Sequence, residues 1–254
     1  MARIEALAEQ IREALRLRQE ALEEAAALVA AKVVHWFAIG KANGWKSEKL
    51  ADYLVDDCYG TSEKTSNDST GTPVLRMGNI QNGRLDLNDL KYLHLTERDR
   101  ERLLLEDGDI LVNRTNSAEL VGKCAVFNLL GEYSFASYLI RLRVDQNRTD
   151  PKLVAAYINS PMGRSFMLAE KRQMAGQANV NATKLKALPI SLPQLDEQHR
   201  IVAELDALQA QVDSLKRAQA ETAAELDTLL PAVLDKAFRG GVMGLTADYR
   251  TVSR

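Results

Sequence analysis

The feature that most constrains the fold of this chain is a heptad pattern in its last quarter. Nine seam positions alternate by three and four without a slip, which is the spacing of a coiled coil. The pattern predicts one long helix from Asp196, as its N-cap, to Phe238. Pro231 is expected to kink or weaken its last turns, and Gly240 and Gly241 to end it. The seam positions are Leu205, Leu208, Val212, Leu215, Gln219, Thr222, Leu226, Leu229 and Val233.

A second amphipathic helix is expected over about the first 36 residues. Its seam includes the charged residue Arg18, and the pattern breaks near Gly40 and Gly44. Because this helix runs towards the middle of the chain and the long helix runs away from it, the two can pair as an antiparallel hairpin. The expected coiled-coil and dimer interface consists of Ile11, Leu15, Leu22, Leu205, Leu208, Val212, Leu215, Leu226 and Leu229.

The middle of the chain has a different texture. Short β-rich runs, such as "DILVNR" and "SYLIRLRV", are separated by Gly, Asn and Asp turns. The run "SLPQLDEQHR" then changes abruptly from an extended apolar segment with two prolines to a charged helix. We therefore predict an α+β fold, in which one mixed α/β domain is flanked by two long helices that form an antiparallel coiled coil. The expected boundaries are an N-terminal helix at 1–43, the mixed domain at 44–193, a C-terminal helix at 194–241 and a flexible tail at 242–254.

Composition favours an ordinary soluble protein. Of the 254 residues, 46% are hydrophobic and 27% are charged. The two cysteines, Cys58 and Cys124, fit a reducing cytoplasm better than a disulfide framework. The charged, amphipathic start is no signal peptide, and no apolar run approaches the roughly 20 residues that a membrane helix needs. We expect a cytoplasmic protein with no membrane partner, and the net charge of −2 identifies no other partner.

The chain lacks the sequence motifs of common catalytic sites. It has no P-loop, no GxGxxG run, no GxSxG elbow and no HExxH helix. Glu106, Asp107 and Asp109 could evoke a metal-dependent nuclease, but a turn before an apolar strand is the simpler explanation. We therefore expect no catalytic residue, no metal ligand and no cofactor bound by this chain. A nuclease with an unrecognised site stays open as an alternative.

Three polar clusters in the middle of the chain have the chemistry of DNA recognition. Arginine pairs well with guanine, and asparagine or glutamine with adenine, in the major groove, while lysine and threonine bind phosphates. Taken singly, each residue could instead form a turn or face solvent, but the three clusters together favour a binding surface. The candidate DNA-binding residues are Arg76, Asn79, Gln81, Asn82, Arg84, Arg114, Thr115, Asn116, Arg172, Gln173, Gln177, Asn179, Asn181 and Lys184.

Several phrases of the sequence resemble a known family. "NVNATKLKALPISLPQLDEQHRIVAELDAL" followed by "LLPAVLDKAFRGG" looks like the end of a target-recognition domain and the conserved helix of type I restriction–modification specificity subunits. The upstream phrases "PVLRMGNIQNGRLD", "LEDGDILVNRTNS", "LVGKCAVFN" and "SYLIRLR" match the same domain type. The resemblance covers about residues 44–241.

The resemblance implies a DNA-reading subunit with no catalysis of its own. In that family the specificity subunit recruits modification subunits, which methylate adenine with S-adenosylmethionine, and a motor-nuclease subunit may join them. Members usually carry two recognition domains separated by helices that act as a ruler, whereas this chain has room for one. A homodimer would supply the second domain, and the target would then be a bipartite palindrome. The alternative is a coiled-coil protein that captures the modification subunit without reading DNA.

Overall fold

A computed structural model describes residues 2–114, 122–171 and 180–244. Its contacts divide the chain into two compact units, and the larger one is Ala30–Leu205. The smaller one combines Met1–Val29 with Asp206–Arg254. The described elements, in chain order, are α1 Ala2–Ala42, β1 Ser47–Lys49, β2 Leu54–Tyr59, β3 Thr72–Leu75, β4 Ile80–Gln81, β5 Arg84–Leu85, β6 Lys91–Leu93, α2 Glu97–Leu103, β7 Ile110–Asn113, β8 Cys124–Val126, β9 Ser134–Phe135, β10 Leu139–Val144, α3 Pro151–Asn159, α4 Pro161–Lys171, α5 Ala182–Lys186, β11 Pro189–Ser191 and α6 Leu195–Gly244.

The long helix α6 differs at both ends from the sequence prediction. It begins one residue before Asp196, and the carbonyl of Gln194 accepts hydrogen bonds from the backbone N–H groups of Glu197 and Gln198, one turn downstream. The predicted N-cap Asp196 therefore lies inside the first turn, where an acidic side chain still suits the helix dipole. The helix also continues through Pro231 and past Gly240 and Gly241, so the predicted stop was wrong. Glycine permits a helix end but does not impose one.

The larger unit is built on a four-stranded antiparallel sheet with the order β2-β10-β7-β8. A second sheet has the order β6-β3-β9, in which β3 and β9 are parallel. The remaining described strands form two short pairs, the β4–β5 hairpin and the β1–β11 pair. The β1–β11 pair joins the segment that follows α1 to the segment that precedes α6.

Both faces of the four-stranded sheet are covered, which explains why β7 is buried at all four of its positions. Because side chains alternate along a strand, Ile110 and Val112 of β7 belong to one buried cluster, whereas Leu111 belongs to the other. Ile140 and Leu139 of β10 are divided between the same two clusters. The helices α3 and α4 contribute to the first cluster, and Phe127 and Phe135 to the second.

The core of this unit also includes parts of the two long helices. Val33 and Phe37 of α1 and Ile201, Val202 and Leu205 of α6 are buried in the first cluster. The compact unit, Ala30–Leu205, therefore includes more of the chain at both ends than the mixed domain expected at 44–193.

Within this unit α1 and α6 run antiparallel. Lys32 pairs with Glu204 at 3.4 Å, and the guanidinium of Arg200 lies over the ring of Trp36 at 5.8 Å. From Lys32 to Trp36 the residue number rises along α1, whereas from Glu204 to Arg200 it falls along α6, and the two helices therefore run in opposite directions.

The smaller unit contains the beginning of α1 and the remainder of α6. Ala25 and Val212 are buried, Ile11, Leu15 and Leu22 are half-buried, and Leu215 is 38% exposed. Among the expected interface residues, the side chains of Leu226 and Leu229 lie outside the described part of the chain.

Arg18 and Gln219 form a polar contact in the smaller unit. The Nη2 atom of Arg18 donates to the backbone carbonyl of Gln219 at 3.4 Å. Arg18 Nη1 and Gln219 Oε1 are also buried, and neither has a hydrogen-bond partner among the described residues. Polar residues of this kind lower the stability of a helix pair while favouring one register.

One stretch of α1 is more apolar than the sequence prediction allowed. Within Glu9–Ala42 an 18-residue window has a mean hydropathy of 1.3, so that by length and composition it could cross a membrane. The same helix contributes Val33 and Phe37 to the core of the larger unit, and 24% of the window is buried.

Candidate nucleic-acid interface

One end of the four-stranded sheet brings distant segments together. β2 and β7 end there, and β8 and β10 begin there, because neighbouring strands are antiparallel. Tyr59 pairs with Ile140, and Asn113 pairs with Leu139. We call this edge, formed by Tyr59, Asn113, Cys124 and Leu139, the loop end of the sheet.

Four separate stretches of the sequence meet at the loop end. The chain leaves it at Gly60 and Arg114, and returns to it at Gly122 and Ser137. The backbone N–H of Val180 donates to the carbonyl of Arg114 at 3.0 Å, which adds the chain before α5. Two of the three sequence-predicted clusters, at 114–116 and 172–184, therefore have a described residue at this edge.

Arg114 is tied into the loop end by several contacts. Its guanidinium lies 4.7 Å from the ring centroid of Tyr59, and its Nη1 atom donates to the carbonyl of Ser137 at 3.5 Å. Its backbone N–H donates to the carbonyl of Tyr138 at 3.0 Å. Arg114 is half-buried, so its charge is held close to the protein surface while its side chain joins neighbouring segments.

The predicted cluster at 76–84 includes the β4–β5 hairpin and the residues just before it. Asn82 and Gly83 have φ angles of 51° and 76°, the backbone of a type I′ turn, for which Asn-Gly is the preferred sequence. A Cβ atom on Gly83 would lie 3.4 Å from Nδ2 of Asn159. Asn159 in turn bonds both backbone groups of Cys124, at 3.0 and 2.9 Å. These contacts place the tip of the hairpin beside the loop end.

The hairpin tip presents polar side chains on a fixed backbone. Gln81, Asn82 and Arg84 are exposed. Gln81 donates to the carbonyl of Gly78 at 3.0 Å. Glutamine and arginine are side chains that can pair with base edges in the major groove.

Asn79 has a structural role at the base of the hairpin. Its side chain is 2% exposed, accepts from the N–H of Arg76 and donates to the carbonyls of Asp86 and Asn88 at 2.8 and 3.0 Å. All of its polar atoms are engaged within the protein, which is the turn-forming alternative that the sequence left open. Asn79 therefore does not belong to the exposed surface.

Arg76 is joined to the chain that follows the hairpin. Its guanidinium donates to both the carbonyl and the carboxylate of Asp89, and Lys91 pairs with the same carboxylate at 3.1 Å. The hydrogen bonds from Arg76 and Lys91 lower the pKa of Asp89. Lys91 also donates to Asn67 at 2.7 Å, and this bond connects the segment 60–71 to the same network.

The structure describes the predicted cluster at 172–184 only from residue 180 onwards. Asn181 caps α5 by accepting from the N–H of Lys184 at 2.9 Å. The next residue, Ala182, donates its backbone N–H to the hydroxyl of Tyr59 at 2.9 Å, so α5 begins at the loop end. Six predicted residues lie outside the described structure: Thr115, Asn116, Arg172, Gln173, Gln177 and Asn179.

Two features of the loop end were missed by sequence reasoning. The segment 61–70 has no aliphatic or aromatic residue and contains the exposed side chains of Ser62 and Lys64; its polar composition could have revealed it. Tyr138 is 51% exposed between β9 and β10. No sequence signal separates it from a core aromatic, because it adjoins an apolar strand.

The acidic cluster considered for a nuclease has a structural explanation. Asp109 is 1% exposed and accepts from the N–H of Glu106 at 2.8 Å, as well as from Arg143 at 2.8 and 2.9 Å. Its bond to Asp109 raises the pKa of Arg143. Among the described residues, no group of three or more His, Cys, Asp and Glu side chains is arranged to hold a metal ion.

Comparison with known proteins gives this surface a context. Residues 43–223 match the family described as the type I restriction modification DNA specificity domain. The chain belongs to this family. The resemblance predicted from the sequence is thereby confirmed, and so is the mixture of α and β structure.

A curated relative supports the same assignment. The specificity subunit of the type I restriction enzyme StySPI from Salmonella potsdam is 30% identical over 209 residues, which cover 82% of this chain. They cover 44% of the relative. The chain thus spans less than half the length of this specificity subunit.

Two solved structures have a similar fold. One, described as the structural basis of complex assembly and conformational transition of the type I R-M system, has a TM-score of 0.74 at 29% identity, covering 94% of this chain and 58% of that chain. The other is the HsdS subunit from Thermoanaerobacter tengcongensis, with a TM-score of 0.58 at 30% identity, covering 94% and 57%.

The match to the specificity domain includes the whole loop end. The segment 60–71, the β4–β5 hairpin, Arg114, Tyr138 and the start of α5 all fall within residues 43–223. The candidate interface is therefore a feature of the specificity domain itself.

Proposed function

We propose that this chain is the sequence-specific DNA-recognition subunit of a type I restriction–modification system and that it binds DNA with the loop end of its sheet. The observation that carries the proposal is the convergence of the polar segments at one edge of a specificity domain. A surface assembled from several loops on a rigid sheet is a common arrangement for recognition.

The proposed contacts divide by chemistry. Gln81 and Arg84 of the hairpin are suited to base edges, and Lys184 is suited to phosphates. Asn79 is left out because its side chain is buried. The proposed DNA-binding set is Arg76, Gln81, Asn82, Arg84, Arg114, Thr115, Asn116, Arg172, Gln173, Gln177, Asn179, Asn181 and Lys184.

Alanine substitutions on the hairpin test this surface. The target is a duplex that the wild-type chain, with its modification subunit, selects from a randomised library. If Gln81 or Arg84 reads a base, its replacement lowers discrimination between this target and a scrambled duplex by about 1–3 kcal/mol. Electrophoretic mobility shifts at several salt concentrations measure both affinities. Arg98→Ala, at an exposed position on α2, is the control. Unchanged affinity and unchanged salt dependence in the hairpin variants would place the DNA-binding surface elsewhere.

We further propose that two copies of the chain act together. The chain spans less than half the length of the StySPI subunit, and a second copy would supply a second recognition domain. The paired helices α1 and α6 would then form an antiparallel coiled coil that separates the two domains. About 35 residues of helix rise about 50 Å, and a symmetric dimer would bind a bipartite palindrome with a fixed spacer. In this assembly 1–43 and 194–241 serve as the ruler, and 44–193 reads DNA.

The partners follow from this assignment. We propose that the dimer recruits DNA adenine methyltransferase subunits, which hold S-adenosylmethionine, and that a motor-nuclease subunit can join to cleave unmodified DNA. The chain itself then performs no chemistry, and the complex works in the cytoplasm.

Two measurements test the assembly. Light scattering of the chain, alone and with its modification subunit, is expected to give two copies of the chain per complex. Mapping of methylated adenines in cells with and without the chain is expected to give a palindromic motif with a single spacer. A stable complex with one copy of the chain, or a motif without symmetry, would rule out the homodimer.

A further inference from the structure

Tyr138 is an exposed aromatic residue at the loop end. Its side chain is 51% exposed, in the turn between β9 and β10. An isolated exposed aromatic residue on a protein surface needs no special explanation. Tyr138, however, adjoins two chain segments of the candidate interface, those at Thr61 and Arg114.

The backbone around Tyr138 is held on every side. The N–H of Ser137 donates to the carbonyl of Thr61 at 2.7 Å, and the N–H of Leu139 donates to the carbonyl of Ala136 at 2.9 Å. The carbonyl of Tyr138 accepts from the N–H of Arg114. A tyrosine has only two side-chain torsions, so a ring on a fixed backbone loses little entropy when it binds.

Among the described residues around this turn, two neighbouring side chains are engaged within the protein. Arg114 is engaged with Tyr59 and with the carbonyl of Ser137, and it is only partly exposed. The hydroxyl of Tyr59 accepts from the backbone of Ala182. Tyr138 therefore presents an apolar face in a polar, cation-containing surface. That combination suits the base edges in the major groove of duplex DNA, where the thymine methyl group makes apolar contacts.

We propose that Tyr138 is a specificity-determining residue whose ring contacts bases of the DNA target. The inference deepens the proposed function and rests on it. The ring of Tyr138, rather than its hydroxyl, makes the contact. The contact adds affinity for the target but not for DNA in general.

Leu130 provides a matched control. It is 98% exposed, and it follows β8 at the opposite end of the sheet, where Ile110 pairs with Val126. Leu130→Ala removes a comparable exposed apolar group that lies outside the candidate interface. The thermal unfolding midpoint of each variant checks that its fold is intact.

The experiment begins with the full chain and a duplex library that contains two randomised blocks. The wild-type chain, with its modification subunit, is used to select a target duplex from the library. Affinities of the wild type, Tyr138→Ala, Tyr138→Phe and Leu130→Ala are then measured for the selected duplex and for a scrambled duplex. If Tyr138→Ala unfolds, Tyr138→Ser takes its place.

The expected result is a loss of about tenfold in affinity for the selected duplex in Tyr138→Ala, the size of one base contact. Affinity for the scrambled duplex stays unchanged. Tyr138→Phe and Leu130→Ala are expected to bind like the wild type. Equal losses for both duplexes, an equally large loss in Tyr138→Phe, or no loss in Tyr138→Ala would each overturn the inference. Failure of the wild type to select any sequence would instead contradict the proposed function.

Discussion

At the residue scale, Gln198 explains why the run "LPQLDEQ" joins a strand to a helix so abruptly. Its side chain is 1% exposed and accepts from the N–H of Asp150 at 2.9 Å. It donates to the carbonyls of Arg148 and Pro193 at 3.0 and 2.8 Å. One amide group thus connects the start of α6, the end of the strand segment before it and the loop that leads into α3. The acidic residues just before it, Asp196 and Glu197, were easier to interpret from the sequence than this buried amide.

Replacement of Gln198 by alanine is expected to destabilise the protein by about 2–3 kcal/mol, because three backbone groups lose their partner in a buried place. Urea denaturation monitored by circular dichroism measures the change. His199→Ala, at the exposed neighbouring position, is the control and is expected to have little effect. Equal stability of Gln198→Ala and the wild type would mean that water replaces the amide without cost.

At the scale of elements, the β4–β5 hairpin and its base combine a buried structural residue with exposed polar residues in one short sequence. "NG" sets the type I′ turn through two positive φ angles. Asn79 holds the base of the hairpin, whereas Gln81 and Arg84 remain exposed. The turn-forming interpretation therefore applies to Asn79, whereas DNA binding by Gln81 and Arg84 is the proposal made above. The residue type alone could not separate them, since burial depends on chain segments that pack from elsewhere.

Gly83→Ala is expected to destabilise the protein by about 1 kcal/mol, because Gly83 has a φ of +76° that alanine adopts with strain. Gly78→Ala is the matched control. Gly78 lies in the same region, and a Cβ atom there would have no heavy atom within 4 Å. Chemical denaturation of the two variants compares their free energies of unfolding. A larger loss in Gly78→Ala than in Gly83→Ala would contradict the turn assignment.

At the scale of the whole molecule, the long helices do more than flank the domain. Val33 and Phe37 of α1 and Ile201, Val202 and Leu205 of α6 are part of the first buried cluster of the unit Ala30–Leu205. The strands of the mixed domain and the adjoining segments of both helices therefore share one core within this unit.

A truncated chain of residues 30–205 is therefore expected to unfold cooperatively, and a chain of residues 44–193 is not. The shorter chain lacks five buried side chains of the core, and each such loss typically costs about 2–5 kcal/mol, compared with about 5–15 kcal/mol for a whole domain. Thermal denaturation by circular dichroism distinguishes the two chains. A cooperative transition at the same temperature in both would show that the helix segments do not support the core.

The sequence by itself determined the local features of this protein. Heptad spacing, short β-rich runs and the Asn-Gly turn are set by neighbours a few residues apart, and they predicted the two long helices and the α+β composition. The family was predicted from the resemblance of whole phrases of the sequence. Only the tertiary structure decided which polar residues share a surface. Arg114, Tyr138 and Val180 are far apart in sequence, and antiparallel pairing with backbone hydrogen bonds brings them to one edge. Burial of Asn79 and exposure of Tyr138 likewise depend on these long-range contacts, which periodicity does not encode.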